Sequence, residues 1–127
     1  MTTNTRQVLA VVAATVWISL SEFVRNEFLV KQQWVAHYEA LGREFPAAPI
    51  NGIMWGVWSL FFASAIAIIA SRFDLLRTAA LAWLVGFVLM WMVIGNLGVL
   101  PTAILPLAVP LSMLEAFVAA WIIKKLS

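Results

Sequence analysis

Few folds can bury four long apolar runs in a chain of 127 residues. The runs extend from about Gln7 to Val30, Asn51 to Ala70, Leu75 to Ile94 and Thr102 to Ile123. A bilayer core about 30 Å thick is crossed by roughly 20 residues of helix. A helix on the surface of a soluble bundle keeps one polar face. The last three runs have none, and the first becomes polar only in its second half, at Glu22, Arg25, Asn26 and Glu27. Composition agrees: 64% of residues are hydrophobic and 11% charged, against about 45–50% and 25% in soluble domains. In hydrocarbon backbone polar groups must be satisfied within the protein, and uninterrupted apolar runs of this length suit helices. The expected fold class is therefore all-α, an integral membrane four-helix bundle forming one domain.

The start of the chain also resembles a secretory signal, with Arg6, the apolar run Val8–Ile18 and then Ser19-Leu20-Ser21. We read it as the first span. Residues Lys31 to Ile50 are the one sizeable polar segment, placed outside the membrane. Its first part can prolong the first helix. Gly42 is a natural stop, and Pro46 and Pro49 oppose further helix. Ser71-Arg72-Phe73-Asp74 is a tight charged turn. Gly95-Asn96-Leu97-Gly98-Val99-Leu100-Pro101 is an uncharged turn or a short dip into the bilayer. Four spans put both termini and the charged turn on one side, with Arg6, Arg72, Arg77, Lys124 and Lys125. The positive-inside rule makes that side cytoplasmic. Trp34, Trp55 and Trp121 fall near the expected interfaces, and Trp17, Trp58, Trp83 and Trp91 lie deeper, as packing or lipid-facing residues.

Several chemistries lack their residues. The net charge is +2 with cations scattered or beside the spans, so no nucleic-acid footprint is expected. No cysteine is present, which removes disulfides, thiolate metal sites and thiol nucleophiles. His37 is the one histidine, and a solvated interface role suits it better than a metal site. No phosphate loop, zinc-protease motif or nucleophile elbow occurs. An enzyme is the less favoured class, and no cofactor or metal is expected.

Helices in lipid associate through close packing of small residues. The second span has Gly52 and Gly56, then Ser59, Ala63, Ala67 and Ala70. The third has Thr78, Ala82 and Gly86, and the fourth Ala108, Ser112, Ala116 and Ala120. These stripes predict contact faces inside the monomer, or one of them a homo-oligomer interface. Pro106 and Pro110 predict a kinked or partly unwound first half of the fourth helix.

Polar groups at membrane depth mark the candidate site. Glu115 lies about 12 Å from the cytoplasmic end of its helix, with no charged neighbour on that helix. It can serve as a hydrogen-bond donor to another helix or as a carboxyl that cycles its proton in a coupled transporter. On the first helix Thr15, Ser19, Glu22, Asn26 and Gln33 form one expected stripe facing the bundle. Arg25 is within ion-pair reach of Glu22 and can snorkel outward. The stripe can line an outward-facing cleft or form a hydrogen-bonded seam. Asn96 falls on the same side as Glu22 and Asn26 and is expected to meet them across the bundle.

The segments Trp17-Ile18-Ser19-Leu20-Ser21-Glu22-Phe23-Val24-Arg25-Asn26-Glu27, Pro49-Ile50-Asn51-Gly52 and Ile94-Gly95-Asn96-Leu97-Gly98 resemble small uncharacterised four-span bacterial inner-membrane proteins. That resemblance implies the spans and no activity. Small multidrug antiporters also carry a glutamate in their first helix. Glu22 departs from their pattern, lying late in the helix beside Arg25, and the charge asymmetry departs from their dual topology.

The reading that follows is a small oligomeric membrane protein that moves or binds a small solute, ion or lipid. Glu22, Arg25, Asn26, Asn96 and Glu115 would line its polar path between the first, third and fourth spans. The expected partners are membrane lipid, further copies of the chain and a protein partner in a membrane complex. The competing reading is a non-catalytic accessory or scaffold subunit whose polar residues only fix helix packing.

Overall fold

The computed structural model describes residues 2–127. Five helices occur among them. They are α1 (Thr3–Leu29), α2 (Lys31–Ala40), α3 (Pro49–Ala70), α4 (Leu75–Asn96) and α5 (Thr102–Leu126). All but the short α2 are long and apolar enough to cross a membrane.

Local chemistry sets the helix ends. The Asp74 carboxylate accepts the Arg77 amide at 2.9 Å and caps α4. Asn51 Oδ1 accepts the Ala48 amide at 3.0 Å where Pro49 opens α3. Gly42 and Gly98 take φ of 73° and 77° and close α2 and α4 in the same way. The amides of Gly42 and Arg43 bond Glu39 and Tyr38 oxygens, and those of Gly98 and Val99 bond Gly95 and Ile94 oxygens. This double return bond needs a left-handed residue, which glycine supplies without strain. The Gly95–Pro101 connection is therefore a capped turn. Gly95 and Asn96 belong to the last turn of α4.

The bundle is centred on α5, which packs against α1, α3 and α4. Its buried residues Ala108, Ser112, Glu115, Ala116, Ala119, Ala120 and Ile123 are mostly small, so its neighbours approach closely. The buried line on α1 is Ala10, Ala14, Ile18 and Glu22, at intervals of one turn. This line, one residue away from the expected polar stripe, faces the bundle. Thr15 and Ser19 sit half-buried beside it. The small-residue stripes of the third and fourth spans are contact faces, with Thr78, Ala82, Ser112 and Ala116 wholly enclosed. Gly86 faces the Phe62 ring. The stripe on α3 is a contact face only from Ser59 onward. Gly52 and Gly56 have no other residue close enough to meet an added Cβ, and they close no helix pair within the chain.

Two other expectations change, and one feature is new. The first helix does not run on unbroken into the polar segment, because Val30 at φ −126°, ψ 13° separates α1 from α2. Its side chain is buried with Leu100, Ile104 and Ala108, and that anchor holds the bend. The prolines do not break α5. It opens with a 3-10 turn at Thr102–Ile104, which leaves Pro106 in the first α-helical turn, where no amide bond is lost. The α-helix is then continuous through Pro110. Finally, both α1 and α4 contain a π-helical turn, at Arg25–Leu29 and Leu84–Val88. The Val30 amide reaches back five residues to the Arg25 oxygen at 2.9 Å.

Candidate functional site

The two π-helical turns lie on either side of the same buried centre. Arg25 from the turn in α1 places its guanidinium carbon 5.5 Å from the centroid of the Phe87 ring, from the turn in α4. Wide turns of this kind insert a residue into a helix, shift the register of one face, and are frequent at functional sites. The sequence offers no periodicity signal for them.

Arg25 does not snorkel outward. It is turned inward and is 5% exposed. Its Nη2 donates to Glu22 Oε1 at 2.5 Å, and its Nη1 donates to Glu115 Oε1 at 3.3 Å. Glu22 is 4% exposed and Glu115 wholly enclosed. Glu115, without a charge partner on its own helix, thus finds one 90 residues away in sequence. The reason is geometric. Glu22 lies on the buried line of α1, and Arg25 follows one turn later on the same face. Both are then directed at the middle of α5.

The two carboxylates are held unequally. Asn26 Nδ2 donates to Glu22 Oε2 at 2.9 Å and to the Glu22 backbone oxygen at 3.0 Å. Asn26 Oδ1 in turn accepts the indole N–H of Trp34, from α2, at 3.1 Å. Both oxygens of Glu22 therefore have donors. Glu115 Oε1 accepts the longer Arg25 contact, and its Oε2 is buried without a hydrogen-bond partner among the described residues. Its helix is fixed by other bonds. Trp17 Nε1 donates to the Glu115 backbone oxygen at 3.0 Å, and Trp83 Nε1 donates to Ser112 Oγ at 2.9 Å. Trp17 and Trp83 thus orient α5 against α1 and α4, a polar role beyond the packing expected of them. Trp83→Phe should keep an aromatic ring, though a smaller one, and lose the donor. The expected cost is about 1 kcal/mol, read by denaturant unfolding in detergent micelles.

Asn96 is not part of this centre. It is exposed on the last turn of α4, so the expected meeting with Glu22 and Asn26 does not occur. The register that buries Phe87 turns Asn96 to the surface. Gln33 is half-buried in α2 beyond the Val30 break and no longer continues the α1 line. The residue in α2 that reaches the centre is Trp34, which the sequence placed at an interface. His37 is also engaged, with Nε2 2.7 Å from the Gly98 oxygen. A carbonyl only accepts, so Nε2 carries the proton. A groove of about 560 Å³ lies at the other face of α2, lined in part by Lys31, Glu39, Arg43 and Glu44.

No family model, curated protein or solved structure matches this chain. One guanidinium balances one carboxylate, so the neutral form of Glu22, Arg25 and Glu115 carries one shared proton. In a low-dielectric interior an uncompensated charge is costly. The centre is chemically suited to hold one proton and release it when another charge compensates.

Proposed function

We propose that this chain is a multi-pass protein of the bacterial inner membrane in which Glu22, Arg25 and Glu115 form the proton-exchanging centre of a transporter for a small solute or ion. The observation that carries this reading is the second carboxylate on a single guanidinium, with Glu115 Oε2 buried and without a hydrogen-bond partner among the described residues. A centre built only to hold helices together is better served by matched charges or by apolar packing. Ionisable groups inside spanning helices are expensive and recur in proton relays and substrate paths. In this proposal both termini lie in the cytoplasm, and the enclosed state seen here is one of two, the other giving the centre access to water.

The test is proton flux in proteoliposomes under an imposed pH gradient, with Glu115→Gln and Glu22→Gln beside the parent. Glutamine preserves shape and removes the exchangeable proton. At least about a tenfold loss of flux is expected for Glu115→Gln, below the roughly 10²–10⁴-fold contribution typical of a positioned acid–base group in catalysis. Equal flux in all three proteins would remove the coupling role.

The accessory-subunit reading is favoured by a different observation, the complete enclosure of Glu115. It predicts no flux above protein-free liposomes for the parent, and a loss of assembly with a protein partner when the centre is disrupted.

A further inference from the structure

We infer that α2 is a hinged gate over the buried centre, swinging about Val30 to open a route to Arg25 and Glu115 from the α2 side. The inference rests on the proposed proton-exchanging centre, which needs an access route that the enclosed state does not provide.

Four observations converge on α2. It is bounded at its start by the non-helical Val30, which follows the π-helical turn that holds Arg25. It contains no buried residue, although it lies against the beginning of α5. An element with little buried apolar surface opens at low free energy relative to the core. It is tied down by two side-chain bonds, Trp34 to Asn26 across the Val30 bend at 3.1 Å and the longer-range His37 to the Gly98 oxygen at 2.7 Å. The Trp34 ring also covers the small apolar cluster of Val30, Leu100, Ile104 and Ala108. Finally, the Trp34 bond is the outer end of a continuous chain. Trp34 donates to Asn26, Asn26 donates to Glu22, and Arg25 donates to both Glu22 and Glu115. Lifting α2 removes the partner that fixes the Asn26 amide, and with it one of the restraints on Glu22. The gate and the charge centre are thus joined by hydrogen bonds without a rigid element between them.

The absence of cysteine gives a clean background for a reporter thiol. Ser112→Cys places one on the buried face of α5, one turn from Glu115 and one turn from Ala108 under the gate. The latches are weakened by combining Trp34→Phe, which keeps the ring and removes its donor, with His37→Ala. The measurement is the labelling rate by a membrane-impermeant anionic thiosulfonate added separately to each side of proteoliposomes. Removing two hydrogen bonds should raise the open population, and so the labelling rate, at least about tenfold. The rise should occur from the α2 side alone. Equal rates with and without the latches, while the denatured protein labels fully, would overturn the gate. So would the same acceleration from Lys124→Ala, which removes a bond to the Ala70 oxygen at the far end of the bundle and reports general loosening. Labelling reads access whether or not protons flow. A gated thiol in a protein with no flux would sink the transport reading and keep the gate, whereas an ungated thiol with Glu115-dependent flux would do the reverse.

Discussion

Replacing Arg25 with methionine should destabilise the protein by about 3–5 kcal/mol, the range for removing one partner of a buried ion pair. The substitution keeps much of the side-chain length and removes the charge. It leaves Glu22 and Glu115 enclosed on facing helices without their shared cation. It also removes the cation from the face of the Phe87 ring, a contact worth up to about 2 kcal/mol when desolvated. These contributions are not additive. The measurement is reversible unfolding in mixed micelles, followed by helical circular dichroism. A second variant separates the charge from the packing. Adding Glu22→Gln and Glu115→Leu to Arg25→Met removes all three ionisable groups together. Replacing a buried charged triad by well-packed uncharged side chains of similar volume, as apolar replacements show, is often neutral or stabilising, so most of the lost stability should return. Recovery with abolished proton flux would mean that the centre is kept for exchange and costs stability to keep. If the single variant loses less than about 1 kcal/mol, the level of an exposed pair, Arg25 does not bridge the two acids in the folded protein.

Adding one methyl group at Gly86 should have the next largest effect. A Cβ there would stand 2.5 Å from Phe62 Cε1 and 2.6 Å from Cζ, well inside contact distance. The Phe62 ring cannot simply turn aside. Trp58 and Phe87 hold it at centroid separations of 5.0 and 5.6 Å. Gly86→Ala should therefore cost about 1–3 kcal/mol, as overpacking does. Pairing it with Phe62→Leu should recover part of that loss, giving a coupling of about 0.5–3 kcal/mol in a double-mutant cycle. Gly56→Ala supplies the contrast, since an added Cβ meets no other residue there. Its effect on monomer unfolding should stay within about 0.5 kcal/mol. A cost at Gly56 equal to that at Gly86 would mean that the two glycines share one packing role. The structure instead separates them, one wedged on an aromatic ring and one facing outward.

That separation shows where sequence reasoning stops. Small residues at four-residue spacing mark a face, and the pattern is the same whether the face meets a helix of the same chain or nothing in it. The stripe on α5 meets three helices, while the beginning of the stripe on α3 meets none. Charge behaves in the same way. The residues of the centre were legible, because Glu22, Arg25 and Glu115 are costly in apolar surroundings. Their mutual arrangement was not. Snorkelling and inward pairing are both open to an arginine near a helix end, and the choice depends on what the opposite helix presents. Asn96 failed for a related reason. Membrane depth alone placed it level with Glu22, but the π-helical turn at Leu84–Val88 shifts the register on α4, and depth says nothing about rotation.

The sequence by itself determined four helices long and apolar enough to cross a membrane, several of their end signals, and which polar residues are anomalous. Those are local properties. They follow from hydropathy summed over a turn or two, from caps such as Asp74 and from glycines that can take positive φ. Only the tertiary structure decided that Arg25 joins Glu22 to Glu115, that Trp34 reaches Asn26 from α2, and that Glu115 Oε2 is left without a hydrogen-bond partner among the described residues. Each of these joins residues through space, and each depends on helix rotation. In an apolar span nearly every rotation presents a similar surface, so periodicity cannot fix it. The rotation is set by the fit of small residues on α5 against its neighbours and by the two π-helical turns, and that fit exists only once the helices are packed.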